Sequence, residues 1–219
     1  MNTVIFCNGV LSVSSEVVIR VISKADLVIA ADGGVDHLKK LNLKPGLIIG
    51  DMDSIKDQSF LYDKSVEKKI YPLEKDQTDT ELAVQEAFRR GSSHITLLGA
   101  TGGRFDHTLA NLELLKKYPG CVTLIDNDTQ VVAINDRSTV VFVGEKGSRL
   151  SLFWPEKYSP SISTKGLKYN LNDEKLVFTT QGTSNIIQDN PAFIKIASGL
   201  LLICADVKVK LEFIISSYL

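Results

Sequence analysis

The sequence predicts an α/β protein of two domains: an N-terminal doubly wound, mostly parallel sheet domain, followed by a C-terminal β-sandwich domain. Two features predict the parallel sheet, namely short continuous apolar runs and the helical patterns between them. The second part changes to short runs rich in β-branched and aromatic residues, separated by turns and without helices, which is typical of a sandwich or barrel. We therefore predict domains over residues 1–128 and 129–219.

The strands predicted for the first domain are short apolar segments that alternate with helices. They are Thr3–Cys7, Leu27–Ala31, Leu47–Ile49, Ile95–Leu98 and Val122–Ile125. Helical spacing of apolar residues predicts helices over Ser14–Lys24, Asp79–Arg90 and Phe105–Lys117. Gly91 follows the second helix where a C-terminal capping glycine is expected. In the third helix, we predict that Leu109, Leu112 and Leu115 face inward.

The strands predicted for the second domain are separated by turn residues such as Gly144 and Asn172-Asp173. They are Val131–Ile134, Thr139–Val143, Arg149–Phe153, Ser161–Thr164, Leu176–Thr180, Phe193–Ile196, Leu200–Ala205 and Lys208–Ile215.

The composition narrows the class of partner. The chain has 25 basic and 26 acidic residues and a net charge of −1, so no basic excess indicates nucleic acid or an anionic membrane. A small-molecule partner is favoured. The N-terminus lacks the basic and apolar regions of a signal peptide, and no apolar run approaches the ~20 residues that cross a bilayer. The three cysteines form no CxxC pair. We expect a soluble, cytoplasmic protein.

Polar residues cluster in segments that follow predicted strands or begin a predicted helix. These segments are Asp32-Gly33-Gly34, Gly50-Asp51-Met52-Asp53-Ser54, Lys75-Asp76-Gln77-Thr78-Asp79 and Gly99-Ala100-Thr101-Gly102-Gly103-Arg104-Phe105-Asp106-His107. Because ligands in open α/β sheets bind beyond the carboxyl ends of the strands, we expect these segments to be neighbours in space.

The aspartates of these segments predict a metal site. Asp51 and Asp53 are two residues apart, so in an extended segment both carboxylates point the same way and repel unless a cation lies between them. Oxygen ligands without nearby histidine or cysteine favour Mg²⁺. Asp76 and Asp79 share the start of a helix, where Asp76 or Thr78 could instead be the helix cap. A solvated turn is the alternative for either pair.

Glycines and cations in the same segments favour a phosphate ligand. Gly33-Gly34 and Gly102-Gly103 each lie between a strand and a helix, where backbone amides attract anions, although such pairs also form plain turns. Arg104 offers a planar fork of donors, and Lys75 adds a second positive charge. The patterns GxxxxGK[ST] and GxGxxG are absent. His107 is either a base or a structural residue at a helix start.

Taken in order, these segments resemble the signature segments of the thiamine pyrophosphokinase family. Three segments of the second half are similar to later segments of that family. They are Gly166-Leu167-Lys168-Tyr169-Asn170-Leu171, Thr183-Ser184-Asn185 and Gly199-Leu200-Leu201. Met52 stands where the family often has Phe, and Tyr169 where it often has Trp.

The resemblance implies that the diphosphoryl group of ATP is transferred to thiamine, giving thiamine diphosphate and AMP, with Mg²⁺ as cofactor. It implies a homodimer whose 129–219 domain completes the partner's thiamine site. The catalytic residues would be Asp51, Asp53, Asp79 and Arg104, the three aspartates also being the Mg²⁺ ligands. The nucleotide would be bound by Asp32, Gly33, Gly34, Lys75, Asp76, Gly102, Gly103 and Asp106, and thiamine by Tyr169, Ser184 and Asn185.

Two alternatives stay open. One is a Mg²⁺-dependent nucleotide enzyme of the same fold that acts on another alcohol. The other is a non-catalytic thiamine or nucleotide sensor that has kept the pocket.

Overall fold

The structure is a computed structural model, and it describes residues 1–56, 59–154, 160–176 and 181–215. The chain forms two compact units. The first contains Met1–Leu114 and Cys121–Asn127, and the second contains Leu115–Gly120 and Asp128–Leu219. The main division therefore falls between residues 127 and 128, and the predicted boundary lies one residue later.

The first unit is built on a six-stranded parallel sheet. Its strands are β1 (Asn2–Phe6), β2 (Leu27–Ala31), β3 (Leu47–Gly50), β4 (Glu67–Ile70), β5 (His94–Leu98) and β6 (Val122–Asp126). They lie in the order β6-β5-β1-β2-β3-β4, and every neighbouring pair is parallel. Ile5, Phe6, Ile29 and Leu97 are fully buried. The continuous apolar runs thus reflect strands buried on both faces, and the predicted parallel sheet is confirmed.

Helices connect these strands. They are α1 (Ser15–Ile22), α2 (Val35–Lys40), α3 (Ser59–Tyr62), α4 (Asp79–Arg89) and α5 (Phe105–Lys117), and a 3₁₀ turn at Asp32–Gly34 leads into α2. The Ser14 hydroxyl caps α1 by accepting from the Val17 amide. Gly91, with φ of +88°, follows the end of α4 as predicted. None of the helices in the described ranges is long and apolar enough to span a membrane.

Three elements of the first unit were not predicted, namely strand β4 and the short helices α2 and α3. Strand β4 reads Glu-Lys-Lys-Ile and lies at the edge of the sheet, where charged side chains are tolerated and the apolar signal disappears. Helix α2 is short and buries only Val35 and Leu38, too few positions to show a helical period. The inward orientation predicted for Leu109 is wrong, because this side chain is 49% exposed and Leu114 and Leu115 occupy the buried face.

The second unit contains two antiparallel sheets. Its strands are β7 (Thr129–Asn135), β8 (Ser138–Val143), β9 (Arg149–Phe153), β10 (Ser161–Lys165), β11 (Glu174–Lys175), β12 (Asn185–Ile186), β13 (Ala192–Ser198), β14 (Leu200–Asp206) and β15 (Lys210–Ile215). One sheet has the order β12-β9-β14-β7, and the other the order β11-β10-β13-β8-β15. Of the predicted strand Leu176–Thr180, only Leu176 is described, and it lies outside a strand.

Alternating residues of these strands form the core of the second unit. The side chains at these alternating positions are fully buried, and their sequence neighbours are more exposed. The buried residues include Val140 and Phe142 of β8, Ile194 of β13, and Leu201 and Ile203 of β14. The period of two places one face of each strand in the core. The β-rich second part of the predicted fold is therefore confirmed.

Candidate active site

A cleft of about 700 Å³ opens at the carboxyl ends of the parallel strands in the first unit. It is lined by the segments that follow β1, β2, β3 and β5, and by the starts of α4 and α5. Parallel strands carry their ligand sites at this edge. The four polar segments singled out in the sequence therefore meet in one cleft, as predicted from the order of strands and helices.

Three carboxylates come together in this cleft. Asp32 follows β2, Asp51 follows β3 and Asp79 is the first residue of α4, and each offers an oxygen within 4.8 Å of the other two. Asp53 lines the cleft but is not a member of this cluster. The segment is not extended here, because Met52 has a φ of +67°, and Asp53 instead donates its amide to Asp51 Oδ1 at 3.3 Å. Asp51 and Asp53 therefore lack the extended geometry from which their side-by-side arrangement was predicted.

Lys75 lies between two members of the cluster. Its Nζ is 3.0 Å from Asp51 Oδ2 and 3.2 Å from Asp79 Oδ1. Burial would raise the pKa of Asp51, but the hydrogen bonds from Lys75 and the Asp53 amide hold it below its usual value. Burial likewise raises the pKa of Asp79, and Lys75 offsets this only partly. Burial would lower the pKa of Lys75, yet its two carboxylate contacts raise it. Lys75 is therefore a firmly charged ammonium.

Two buried oxygens of the cluster are not satisfied. Asp32 Oδ1 and Asp79 Oδ1 are inaccessible and have no hydrogen-bond partner among the described residues, although Asp79 Oδ1 forms an ion pair with Lys75. Asp32 Oδ2 accepts from Asn8 Nδ2 at 3.4 Å. A buried carboxylate oxygen without a donor is costly unless something positive binds it. Three hard oxygen donors converging on one point fit a divalent cation such as Mg²⁺.

The helix cap at the start of α4 is Thr78. Its hydroxyl accepts a hydrogen bond from the Glu81 amide at 3.1 Å. Asp76 is exposed and lines the cleft, so the alternative in which Asp76 caps the helix is excluded. The cap fixes the first turn of α4 and with it the position of Asp79.

The two glycine pairs have different surroundings. Gly33 and Gly34 are buried and do not line the cleft. A Cβ at Gly33 would overlap the Asn8 amide, and one at Gly34 the Phe6 carbonyl, so these glycines allow the Asp32 turn to pack on the end of β1. Gly102 and Gly103 are exposed, have φ of +72° and +66°, and line the cleft. Only the second pair offers its backbone to a ligand.

Arg104 and His107 both line the cleft. Arg104 donates from Nη2 to Asp106 Oδ2 at 2.6 Å and from Nε to Asp106 Oδ1 at 3.2 Å. This pair is exposed, and the hydrogen bonds from Arg104 hold the pKa of Asp106 below its usual value. Asp106 is absent from the lining, and its contact with the site is through the Arg104 guanidinium.

The segment after β1 also lines the cleft, although it was not among the predicted site segments. Asn8 and Gly9 line the cleft, and His37 donates from Nε2 to the Gly9 carbonyl oxygen at 2.9 Å. Asn111 of α5 is also in the lining, buried, and donates to the Ala100 carbonyl oxygen at 2.7 Å. The rule that polar residues at strand ends build the site would have found Asn8, because it follows the first predicted strand.

The three remaining predicted residues lie together in the second unit. Tyr169 is 60% exposed, Ser184 is exposed, and Asn185 is buried against the Tyr169 backbone. Ser184 has a φ of +58° and donates its amide to Ser151 Oγ at 3.1 Å.

The fold and the cleft define an α/β protein whose acidic, lysine-containing site at the carboxyl ends of parallel strands suits a cation and phosphate groups. Two family models match this chain in order. The catalytic domain of thiamin pyrophosphokinase matches residues 18–132, more than half of the chain, and the vitamin B1 binding domain of the same enzyme matches residues 143–201. The chain belongs to the thiamine pyrophosphokinase family.

Individual relatives agree with this assignment. The chain is 29% identical over 187 residues to thiamine pyrophosphokinase of Bacillus subtilis, covering 80% of this chain and 85% of the relative. It is 28% identical over 200 residues to thiamin pyrophosphokinase 1 of Caenorhabditis elegans, covering 82% and 79%. The crystal structure of a thiamin pyrophosphokinase family protein from Enterococcus faecalis superposes with a TM-score of 0.80 at 25% identity, covering 94% of this chain and 99% of the other.

Proposed function

We propose that the chain transfers the diphosphoryl group of ATP to the hydroxyl of thiamine, giving thiamine diphosphate and AMP. Family membership makes the chain an enzyme with thiamine pyrophosphokinase activity. The observation that carries the proposal is the acidic cleft of Asp32, Asp51 and Asp79 inside the matched catalytic domain. A sensor would gain nothing from buried carboxylate oxygens that lack a donor.

The carboxylates of Asp32, Asp51 and Asp79 would hold Mg²⁺, with Asp53 beside them at the rim. The bound ion would neutralise charge on the phosphate oxygens and align them. The ligands predicted from the sequence were Asp51, Asp53 and Asp79. We propose Asp32 in place of Asp53, because Asp32 has an oxygen within 4.8 Å of the other two carboxylates. Asp76, exposed at the edge of the cleft, assists nucleotide binding.

Cationic groups of the chain lie where the triphosphate would bind. Lys75 is held in the cleft by two carboxylates, and Arg104, which also lines the cleft, is paired with Asp106. The exposed backbone of Gly102 and Gly103 stands just before α5, where amides favour anions. Phosphoryl-type transfer depends mainly on such positioning and neutralisation of charge.

In the proposed reaction the thiamine hydroxyl oxygen forms a bond to the β-phosphorus. The bond between that phosphorus and the oxygen bridging to the α-phosphate breaks, and AMP leaves with the electron pair. The hydroxyl proton passes to a carboxylate of the cleft or to water.

Thiamine would contact the second unit. The exposed ring of Tyr169 offers a face on which the cationic thiazolium can stack, and the exposed Ser184 lies on the neighbouring segment. We also propose a cytoplasmic homodimer in which the second unit of one chain completes the thiamine site of its partner. Sedimentation at micromolar concentration would give the mass of two chains, whereas the mass of one chain would contradict the dimer, and cell fractionation tests the location.

One assay separates the candidate functions. The protein is incubated with ATP, Mg²⁺ and thiamine, and the nucleotides and thiamine esters are separated by chromatography. We expect equal amounts of AMP and thiamine diphosphate. Formation of ADP and thiamine monophosphate would contradict diphosphoryl transfer, AMP formation with another alcohol only would favour the related enzyme, and thiamine binding without turnover would favour the sensor.

A further inference from the structure

Asn185 is one of the few polar residues buried within the part of the chain that the structure describes, with 3% of its surface exposed. Its Oδ1 accepts from the Tyr169 amide at 3.1 Å and from the Ile186 amide at 2.9 Å, and its Nδ2 donates to the Tyr169 carbonyl oxygen at 2.8 Å. A side-chain amide oxygen has two lone pairs, so both are engaged by the backbone. The side chain is thus enclosed and occupied by protein groups.

The segment that carries Tyr169 is attached to β12 mainly through its backbone. The Lys168 amide donates to the Ile186 carbonyl oxygen at 2.9 Å, and Leu167 forms an isolated bridge with Ile187. Asn185 adds two further hydrogen bonds to this segment, and both are to the backbone of Tyr169. The backbone of Tyr169 is therefore held at both its amide and its carbonyl group by a single side chain.

The Tyr169 ring itself has little packing to fix it. It is 60% exposed, and Lys168 Nζ lies over it at 5.2 Å from the ring centroid. An exposed cation–π contact of this kind contributes only about 0.5–1 kcal/mol. The direction of the ring consequently depends on the backbone from which it projects, and that backbone depends on Asn185.

We infer that Asn185 is a positioning residue that acts on thiamine through Tyr169, and that it does not contact thiamine itself. This inference rests on the proposed function, because it takes Tyr169 as the stacking surface for thiamine. It differs from the role that the sequence indicated, in which Asn185 contacts thiamine directly. Its physical basis is that the side chain is almost fully buried and that both acceptor positions of its amide oxygen are occupied by backbone amides.

A double-mutant cycle tests the inference. Thiamine Kd is measured by calorimetry for the wild type, Asn185→Ala, Tyr169→Ala and the double variant, and kcat and the ATP KM are measured alongside. We expect Asn185→Ala to weaken thiamine binding about tenfold, with kcat and the ATP KM changed less than about twofold. In the Tyr169→Ala background the same change should have little effect, because coupled residues are not additive. The matched control Asn172→Ala removes an exposed asparagine from the same region and should leave thiamine binding unchanged.

The opposite results would overturn the inference. Equal fold-losses from Asn185→Ala in both backgrounds would mean that Asn185 acts independently of Tyr169, and parallel losses in kcat and ATP KM would mean a general structural role. If Asn185→Ala does not fold, Asn185→Asp keeps the acceptor and replaces the donor to the Tyr169 carbonyl, and the same cycle applies. If the wild type binds thiamine but forms no thiamine diphosphate, only the proposed function is contradicted, because the double-mutant cycle on thiamine Kd can still be measured. A wild type that binds no thiamine contradicts both.

Discussion

At the scale of single residues, the cleft is organised around the balance between three carboxylates and one lysine. Lys75 neutralises part of the charge of Asp51 and Asp79, whereas Asp32 forms no ion pair with a cationic side chain among the described residues. The cluster therefore keeps excess negative charge in a partly buried place. Such an arrangement is unfavourable by itself and becomes favourable when a cation binds.

The first prediction separates Asp32 from Asp53 as metal ligands. Asp32→Asn should weaken the binding of Mn²⁺, used in place of Mg²⁺, by about tenfold or more, because it removes a carboxylate from the cluster. Asp53→Asn should have the smaller effect, because Asp53 stands outside the cluster. Titration of Mn²⁺ followed by electron paramagnetic resonance measures both without turnover. A greater loss for Asp53→Asn would favour the ligand set predicted from the sequence.

The second prediction concerns Asp79. Asp79→Ala should lower kcat about 10²–10³-fold, as expected when a group that organises charge at the reacting phosphates is lost. The fold should be intact, because Lys75 is still paired with Asp51. Steady-state kinetics and circular dichroism measure the two effects. Wild-type turnover in a folded Asp79→Ala protein would remove Asp79 from the site.

At the scale of elements, α4 connects the site to the edge of the sheet. Its first residue is Asp79, and its third turn carries Glu86, which is only 5% exposed. Glu86 receives hydrogen bonds from Arg89 and Arg90, and Lys69 of β4 lies 2.7 Å from its Oε2. This charged group attaches the helix to the polar edge strand β4, which has few apolar contacts of its own.

The third prediction is the pH dependence of that attachment. Hydrogen bonds from Arg89, Lys69 and Arg90 hold the pKa of Glu86 well below its usual 4.5. A carboxylate whose pKa is lower in the folded than in the unfolded protein stabilises the fold at pH values above its unfolded pKa. This stabilisation is lost as the pH falls through the folded pKa. Glu86→Gln should therefore lower the free energy of unfolding by about 2 kcal/mol at pH 7.

Urea unfolding at a series of pH values measures this effect. The difference between the wild type and Glu86→Gln should shrink as the pH falls below about 4.5, since the unfolded carboxylate titrates there. The exposed Glu74→Gln is the control and should change stability little. A difference that is constant with pH would show that the charge of Glu86 is not what stabilises the helix.

The fourth prediction concerns the cap of α4. Thr78→Ala removes the acceptor for the Glu81 amide and should lower the free energy of unfolding by about 1 kcal/mol. Thr78→Ser keeps the hydroxyl and should restore most of the loss. Denaturant unfolding of the three proteins gives the comparison. Equal stability of all three would mean that another group caps the helix.

At the scale of the whole molecule, much of the fold follows from the sequence because buried strands need uninterrupted apolar residues. Strand β2 was predicted to the residue for this reason, whereas the charged edge strand β4 gave no such signal. The gathering of the polar segments followed from strand order alone. The membership of the acidic cluster was not predicted, because the positive φ of Met52 interrupts the extended segment that an alternation rule assumes.

The most direct test of the account follows the phosphorus atoms of ATP. The protein is incubated with thiamine, Mg²⁺ and ATP labelled at its β-phosphorus, and the products are separated. We predict that the label appears entirely in thiamine diphosphate and that AMP is unlabelled, because attack at the β-phosphorus carries both outer phosphates to the acceptor. Label found in ADP, with thiamine monophosphate as the other product, would contradict the proposed reaction.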